Sequence, residues 1–185
     1  SSPELRVSKF PKERKIKMAL DRTNMVSLLD VGKLFSGSAA NIMEMGDGYT
    51  EISEDWGPGM DSTQYVNMKS KSTTVSGYEF TMNPEREYLN DDMQKELDKL
   101  LKKFPTGADC ETDYYRFFKT DEVEGKDGVY EAIKVPVVVA ASSAGGEGGG
   151  KLVSAIQISG NGNVEEGYIT MSEAGKFTWS TTAPV

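Results

Sequence analysis

Val129-Tyr130-Glu131-Ala132-Ile133-Lys134-Val135-Pro136-Val137-Val138-Val139-Ala140 is dense in β-branched and aromatic residues, and such a run predicts a strand. A glycine-rich segment follows at 144–150, and residues 152–159 then alternate apolar and polar side chains as a second strand would. Gly145, Gly150 and Lys151 meet the spacing of a phosphate-binding loop, but Leu152 has no hydroxyl for magnesium. The strand pattern after it also supplies no helix N-terminus to hold a phosphate. The segment therefore reads as a hairpin loop, rich in glycine because it moves or passes close to a neighbour.

Working outward, turn chemistry recurs at strand-length spacing: Gly46-Asp47-Gly48, Gly57-Pro58-Gly59, Asn83-Pro84, Pro105-Thr106-Gly107, Asp127-Gly128, Gly160-Asn161-Gly162 and Ala174-Gly175. Between these turns, residues 63–68, 72–81, 112–118, 164–171 and 176–181 also read as strands. Gly160-Asn161-Gly162 and Glu173-Ala174-Gly175-Lys176 are expected to be hairpin turns, which makes the carboxyl end a three-strand meander.

One segment has helical period instead. Met93, Leu97, Leu100, Leu101 and Phe104 fall on one face of a helix over 90–104, with Lys95, Glu96, Asp98, Lys99, Lys102 and Lys103 opposite. Asn90 suits the N-cap, Asp91 and Asp92 the positive end of the helix dipole, and Lys102 and Lys103 the negative end before Pro105. A single amphipathic helix among strands is expected to close one side of a sheet packing. The fold class is mainly β, with two packed antiparallel sheets and one flanking α-helix.

The 185 residues fit one domain. No histidine is present, which excludes imidazole-based triads and most zinc and haem sites, and the single Cys110 excludes an internal disulfide. The acidic pairs Glu54-Asp55, Asp91-Asp92, Asp121-Glu122 and Glu165-Glu166 lack calcium-loop spacing and read as solvated faces and a helix start. No catalytic, cofactor-binding or metal site is expected, so the chain is read as a non-enzyme. No apolar run approaches the roughly 20 residues of a membrane span, and the expectation is a soluble chain without a secretion signal or membrane contact.

The net charge of −8 is unevenly divided. Residues 1–33 hold eight basic and four acidic side chains, whereas the rest holds 13 basic and 25 acidic, so a +4 arm precedes a −12 body. Such a body does not grip nucleic-acid phosphate. The acidic stretch with Asp47, Glu51, Glu54, Asp55 and Asp61 contains no basic residue and carries Trp56, and a long acidic loop with an exposed tryptophan is expected to be a contact surface.

The order of motifs resembles the major tail tube protein of long-tailed, siphovirus-type bacteriophages and prophages of Gram-positive hosts. It is carried by Ile42-Met43-Glu44-Met45-Gly46-Asp47-Gly48-Tyr49-Thr50, Gln64-Tyr65-Val66-Asn67, Val75-Ser76-Gly77-Tyr78 and Tyr88-Leu89-Asn90-Asp91. Tyr130-Glu131-Ala132, Gly167-Tyr168-Ile169-Thr170 and Gly175-Lys176-Phe177-Thr178-Trp179 continue it, over about residues 38–180. The resemblance implies a self-assembling virion protein, soluble in the host cytoplasm before assembly. Six copies form a ring, rings stack into a tube, and genomic DNA passes through it. The implied partners are other copies of the chain, a tape-measure protein and DNA in the lumen, and tail terminator and distal tail proteins at the ends. The chain then divides into a basic arm with the first strand region at 1–33 and a tail-tube domain at 34–185, with an inter-ring loop at 47–61.

Two expectations join charge to that resemblance. The lumen is acidic, so that DNA slides without sticking, and Lys12, Arg14 and Lys15 of the arm meet the 47–61 loop of a neighbouring ring. Two alternatives stay open: a monomeric carbohydrate-binding β-sandwich in which Trp56 and nearby tyrosines stack on sugars, and the tube of a contractile tail or phage-derived bacteriocin.

Overall fold

A computed structural model describes residues 18–185; Lys12, Arg14 and Lys15 lie outside the described residues. The strands are β1 Met25–Asp30, β2 Ile42–Glu44, β3 Gly59–Thr63, β4 Ser72–Gly77, β5 Thr81–Met82 and β6 Glu85–Glu87. After the helix α1 Asp92–Lys103 come β7 Glu111–Glu122, β8 Val129–Gly145, β9 Val153–Gly160, β10 Glu165–Met171 and β11 Phe177–Ser180. The architecture is mainly β, antiparallel throughout, with one α-helix among the described residues.

Six strands close on themselves in the order β8, β7, β1, β2, β11, β10 and back to β8, forming a small barrel. Every one of the six sends side chains inward: Val26, Leu28, Ile42, Tyr115, Phe117, Ala132, Tyr130, Ile169, Phe177 and Trp179 pack together. A barrel this narrow is filled by its own side chains rather than open. The alternate residues of β1 and β7 face the other way, so Leu29 and Tyr114 join a second core with Val135, Val137, Val139, Ile156, Ile158 and the helix. That is why both faces of β1 are buried and its sequence shows no alternation.

The 17-residue β8 belongs to both parts. On one edge its first half, through Lys134, pairs with β10, and its second half, from Val137, pairs with β9. Pro136 falls between the two partners, at the point where no ladder donor is required, which reconciles a proline with a central strand. The sequence expectation of a β9–β10 hairpin is therefore corrected. The Gly160-Asn161-Gly162 turn instead carries the chain from one stretch of β8 to the next, with the Asn161 amide donating to the Pro136 carbonyl at 2.7 Å. Of the two turns of the expected meander, only the one between β10 and β11 closes a hairpin. Residues 63–68 are likewise not a strand; the pairing there lies earlier, in β3.

β9 continues the sheet beyond the barrel and is edged by β5 and β6. α1 covers this extension with Met93, Leu97 and Leu100, each worth about 1.5–3 kcal/mol on burial. Two helix expectations are corrected. The N-cap is Asp91, whose carboxylate accepts from the Gln94 amide at 2.9 Å, one residue later than Asn90. Phe104 is the left-handed C-cap, with φ 44°, and is 65% exposed rather than part of the core face, while Leu101 is half-buried.

Candidate assembly surfaces

β3 and β4 pair only with each other and stand away from the core, every residue exposed except the half-buried Gly59. Met60 and Val75 are cross-strand partners with both side chains in solvent, and Ser62 and Thr73 share a 2.9 Å hydroxyl contact. Tyr65 and Val66 lie between the two strands and Tyr78 follows β4, also exposed. Five of the 13 exposed large apolar side chains among the described residues thus lie within residues 60–78. An isolated two-strand ribbon is marginal in water and offers unpaired edges, which makes this projection a candidate contact surface.

The chain leading to the ribbon is held from beneath. Arg86 is almost fully buried, and its guanidinium donates to the Asp47 carbonyl, to Gln94 Oε1 at 2.8 Å and to the Asp91 carboxylate. It also lies 5.7 Å from the ring centroid of Tyr49. One side chain therefore joins the 47–49 turn to the helix start, and the turn has a fixed base. Burial acts against the charged form of Asp91, but Arg86 and the Gln94 amide outweigh it and hold the carboxyl below the usual range. Arg86 and Gln94 escaped sequence reasoning, because a charged residue in a short edge strand and a polar residue on a helix are ordinarily assigned to solvent.

The residues expected at the inter-ring loop divide. Asp47, Glu51, Asp55 and Asp61 are exposed, with Asp55 accepting from the Gly57 amide at 2.9 Å and Glu51 from the Ser53 hydroxyl at 3.1 Å. Glu54 turns inward, its side chain 5% exposed, and pairs with Arg116 of β7 at 2.9 Å. Burial raises its carboxyl pKa, with Arg116 pulling the other way. Trp56 is half-buried, 4.6 Å centroid to centroid from Phe80, so the expectation of an exposed tryptophan is corrected. Together with Tyr78 and Val164 these rings line a groove of about 340 Å³ at the root of the ribbon, bordered by Glu79.

The glycine-rich segment joins β8 to β9 as a hairpin, and Lys151 donates to Glu87 at 2.7 Å. No group of three or more potential metal ligands occurs among the described residues. Cys110 is buried with its thiol against the Pro105 carbonyl, and burial, assisted by Asp109, raises its pKa. No described helix is long and apolar enough to cross a membrane.

The fold has likenesses among solved particles. A chain from the tail of an empty gene transfer agent particle, determined with C6 symmetry, superposes with TM-score 0.56 at 8% identity, over 80% of this chain and 98% of that one. The fold is one found in phage-like tails. A chain from the virion of a native gene transfer agent particle gives TM-score 0.54 at 6% identity over the same shares. One from the sheath/tube terminator of an extracellular contractile injection system, PVC, gives 0.50 at 8% identity over 82% and 98%. No protein-family model matches the sequence, and no curated protein does. At these identities the likeness is one of fold.

Proposed function

We propose that this chain is a tail tube subunit, six copies of which close into a ring and many rings of which stack into the conduit of a phage-like tail. The observation that carries the reading is the β3–β4 ribbon: a solvent-exposed projection with an apolar cross-strand pair, on a fold shared with chains of tail particles. In the tube the ribbon reaches the adjacent ring, with exposed Asp47, Glu51 and Asp55 on the chain that leads to it, Asp61 within it, and the basic Lys12, Arg14 and Lys15 of a neighbouring copy as their counter-charges. The −12 body presents an acidic lumen to the tape-measure protein and then to DNA, which a polyanion crosses without adhering. Terminator and distal tail proteins cap the ends, and no catalysis is required.

A carbohydrate-binding reading is weakened by Trp56, whose ring packs on Phe80 instead of standing free to stack on a sugar. The same tube could serve a long non-contractile tail or a contractile one, and the likeness extends to a chain of a contractile injection system. Sedimentation velocity across a concentration series tests the proposal. A shift from monomer to large, concentration-dependent species supports it, and a single monomer boundary throughout contradicts it.

A further inference from the structure

Phe104 is placed where the chain has every reason to use glycine. It caps α1 in the left-handed region, accessible to glycine without penalty, and its ring is 65% exposed. Beside it Lys102 and Lys103 are exposed and have no carboxylate within salt-bridge distance among the described residues, while Lys95 and Lys99 are matched by Asp92 and Glu96. Nearby, Lys103 lies over the ring of Phe35, itself at φ 57°, so strained non-glycine backbone recurs at this corner. The corner is a cationic aromatic knob.

At the root of the ribbon lies its complement. The groove is lined by the rings of Trp56, Tyr78 and Phe80 together with Val164 and Asn163, and Glu79 borders it as an exposed carboxylate. No lysine or arginine lines it. We propose that the Lys102–Lys103–Phe104 corner of one copy seats in the Trp56–Tyr78 groove of a second copy, with the ring filling the groove and the lysines meeting Glu79.

The two patches differ, so the contact is heterologous: each copy offers one knob and one groove, and repetition closes into a ring or runs on as a filament. A buried aromatic anchor inside a charged rim is the arrangement that concentrates binding energy and sets register. The inference rests on the tube reading, since it names the residues by which copies recognise one another.

The test uses the full chain and three variants, followed by sedimentation, negative-stain microscopy and thermal unfolding of the monomer. Phe104→Gly relieves the backbone, so its melting temperature should hold or rise while the concentration needed for assembly increases about tenfold or more. Lys102→Glu with Lys103→Glu should weaken assembly similarly, and adding Glu79→Lys to that double variant should restore it in part. Wild-type chain that never assembles contradicts the tube reading. Wild-type chain that assembles, with Phe104→Gly assembling at the same concentration or Glu79→Lys giving no recovery, contradicts the seat alone.

Discussion

A methyl group placed on Gly167 would stand 2.6 Å from both Cη2 and Cζ2 of Trp179, so the indole occupies the space that a side chain there would need. Gly167 of β10 pairs with Ala132 of β8, and Trp179 packs against the barrel core from β11. The pair therefore lies at the seam that closes the barrel.

Gly167→Ala should destabilise the fold by about 1–3 kcal/mol, because the indole must leave a filled interior or the strands must separate. Urea unfolding reads this directly. Stability equal to wild type would show that the seam has room.

The Arg86–Asp91 pair makes a graded prediction. Asp91→Ala removes both the helix cap and the carboxylate of a buried guanidinium, and should cost about 3–5 kcal/mol. Asp91→Asn keeps a capping oxygen and loses only the charge, so it should fall between that variant and wild type. Equal losses for the two would mean that the cap contributes nothing.

Acid and alkaline limits follow from the same neighbourhood. The lowered pKa of Asp91 contributes stability that is complete above about pH 4 and disappears as pH falls through its folded-state value. Burial raises the Tyr49 hydroxyl from 10.0 to about 12, against the pull of Arg86, and burial raises Tyr114 in the same direction. A raised pKa means that the folded state holds its proton longer, so this stability is full below pH 10.0 and is lost as pH rises toward about 12 for Tyr49. The Tyr49 hydroxyl is buried with no hydrogen-bond partner among the described residues. Tyr49→Phe should thus match or exceed wild type at pH 7 and lose less stability between pH 10 and 12 in thermal melts. A large loss at pH 7 would contradict this.

Much of the fold was legible because its strongest strands are uninterrupted. β7, β8 and β10 were read from β-branched and aromatic runs, and the helix from the spacing of Met93, Leu97 and Leu100. The topology was not legible, because Gly160-Asn161-Gly162 is a turn in any reading and nothing local says that β8 changes partner at Pro136. β1 was hidden for the opposite reason: buried on both faces, it lacks the alternation that marks a strand. At the surface the acidic, basic-free character of 47–61 was visible, whereas the inward turn of Glu54 depends on Arg116, 62 residues away. The exposure of Phe104 depends on a single left-handed residue that the apolar periodicity could not foretell.

The ribbon gives a prediction that separates folding from assembly. Because residues 61–74 contact little besides themselves, replacing them with a short Gly-Ser turn should change monomer stability by less than about 1 kcal/mol. Stacking should be lost while single rings persist. Unfolding of the truncated monomer would instead assign the ribbon to the fold.

Cryo-electron microscopy of the purified full-length chain, concentrated until it assembles, tests the central claim most directly. The account predicts six-fold rings stacked into hollow tubes, with residues 59–77 bridging one ring to the next. Monomers at every concentration, or assemblies without rotational symmetry and an open lumen, would contradict it.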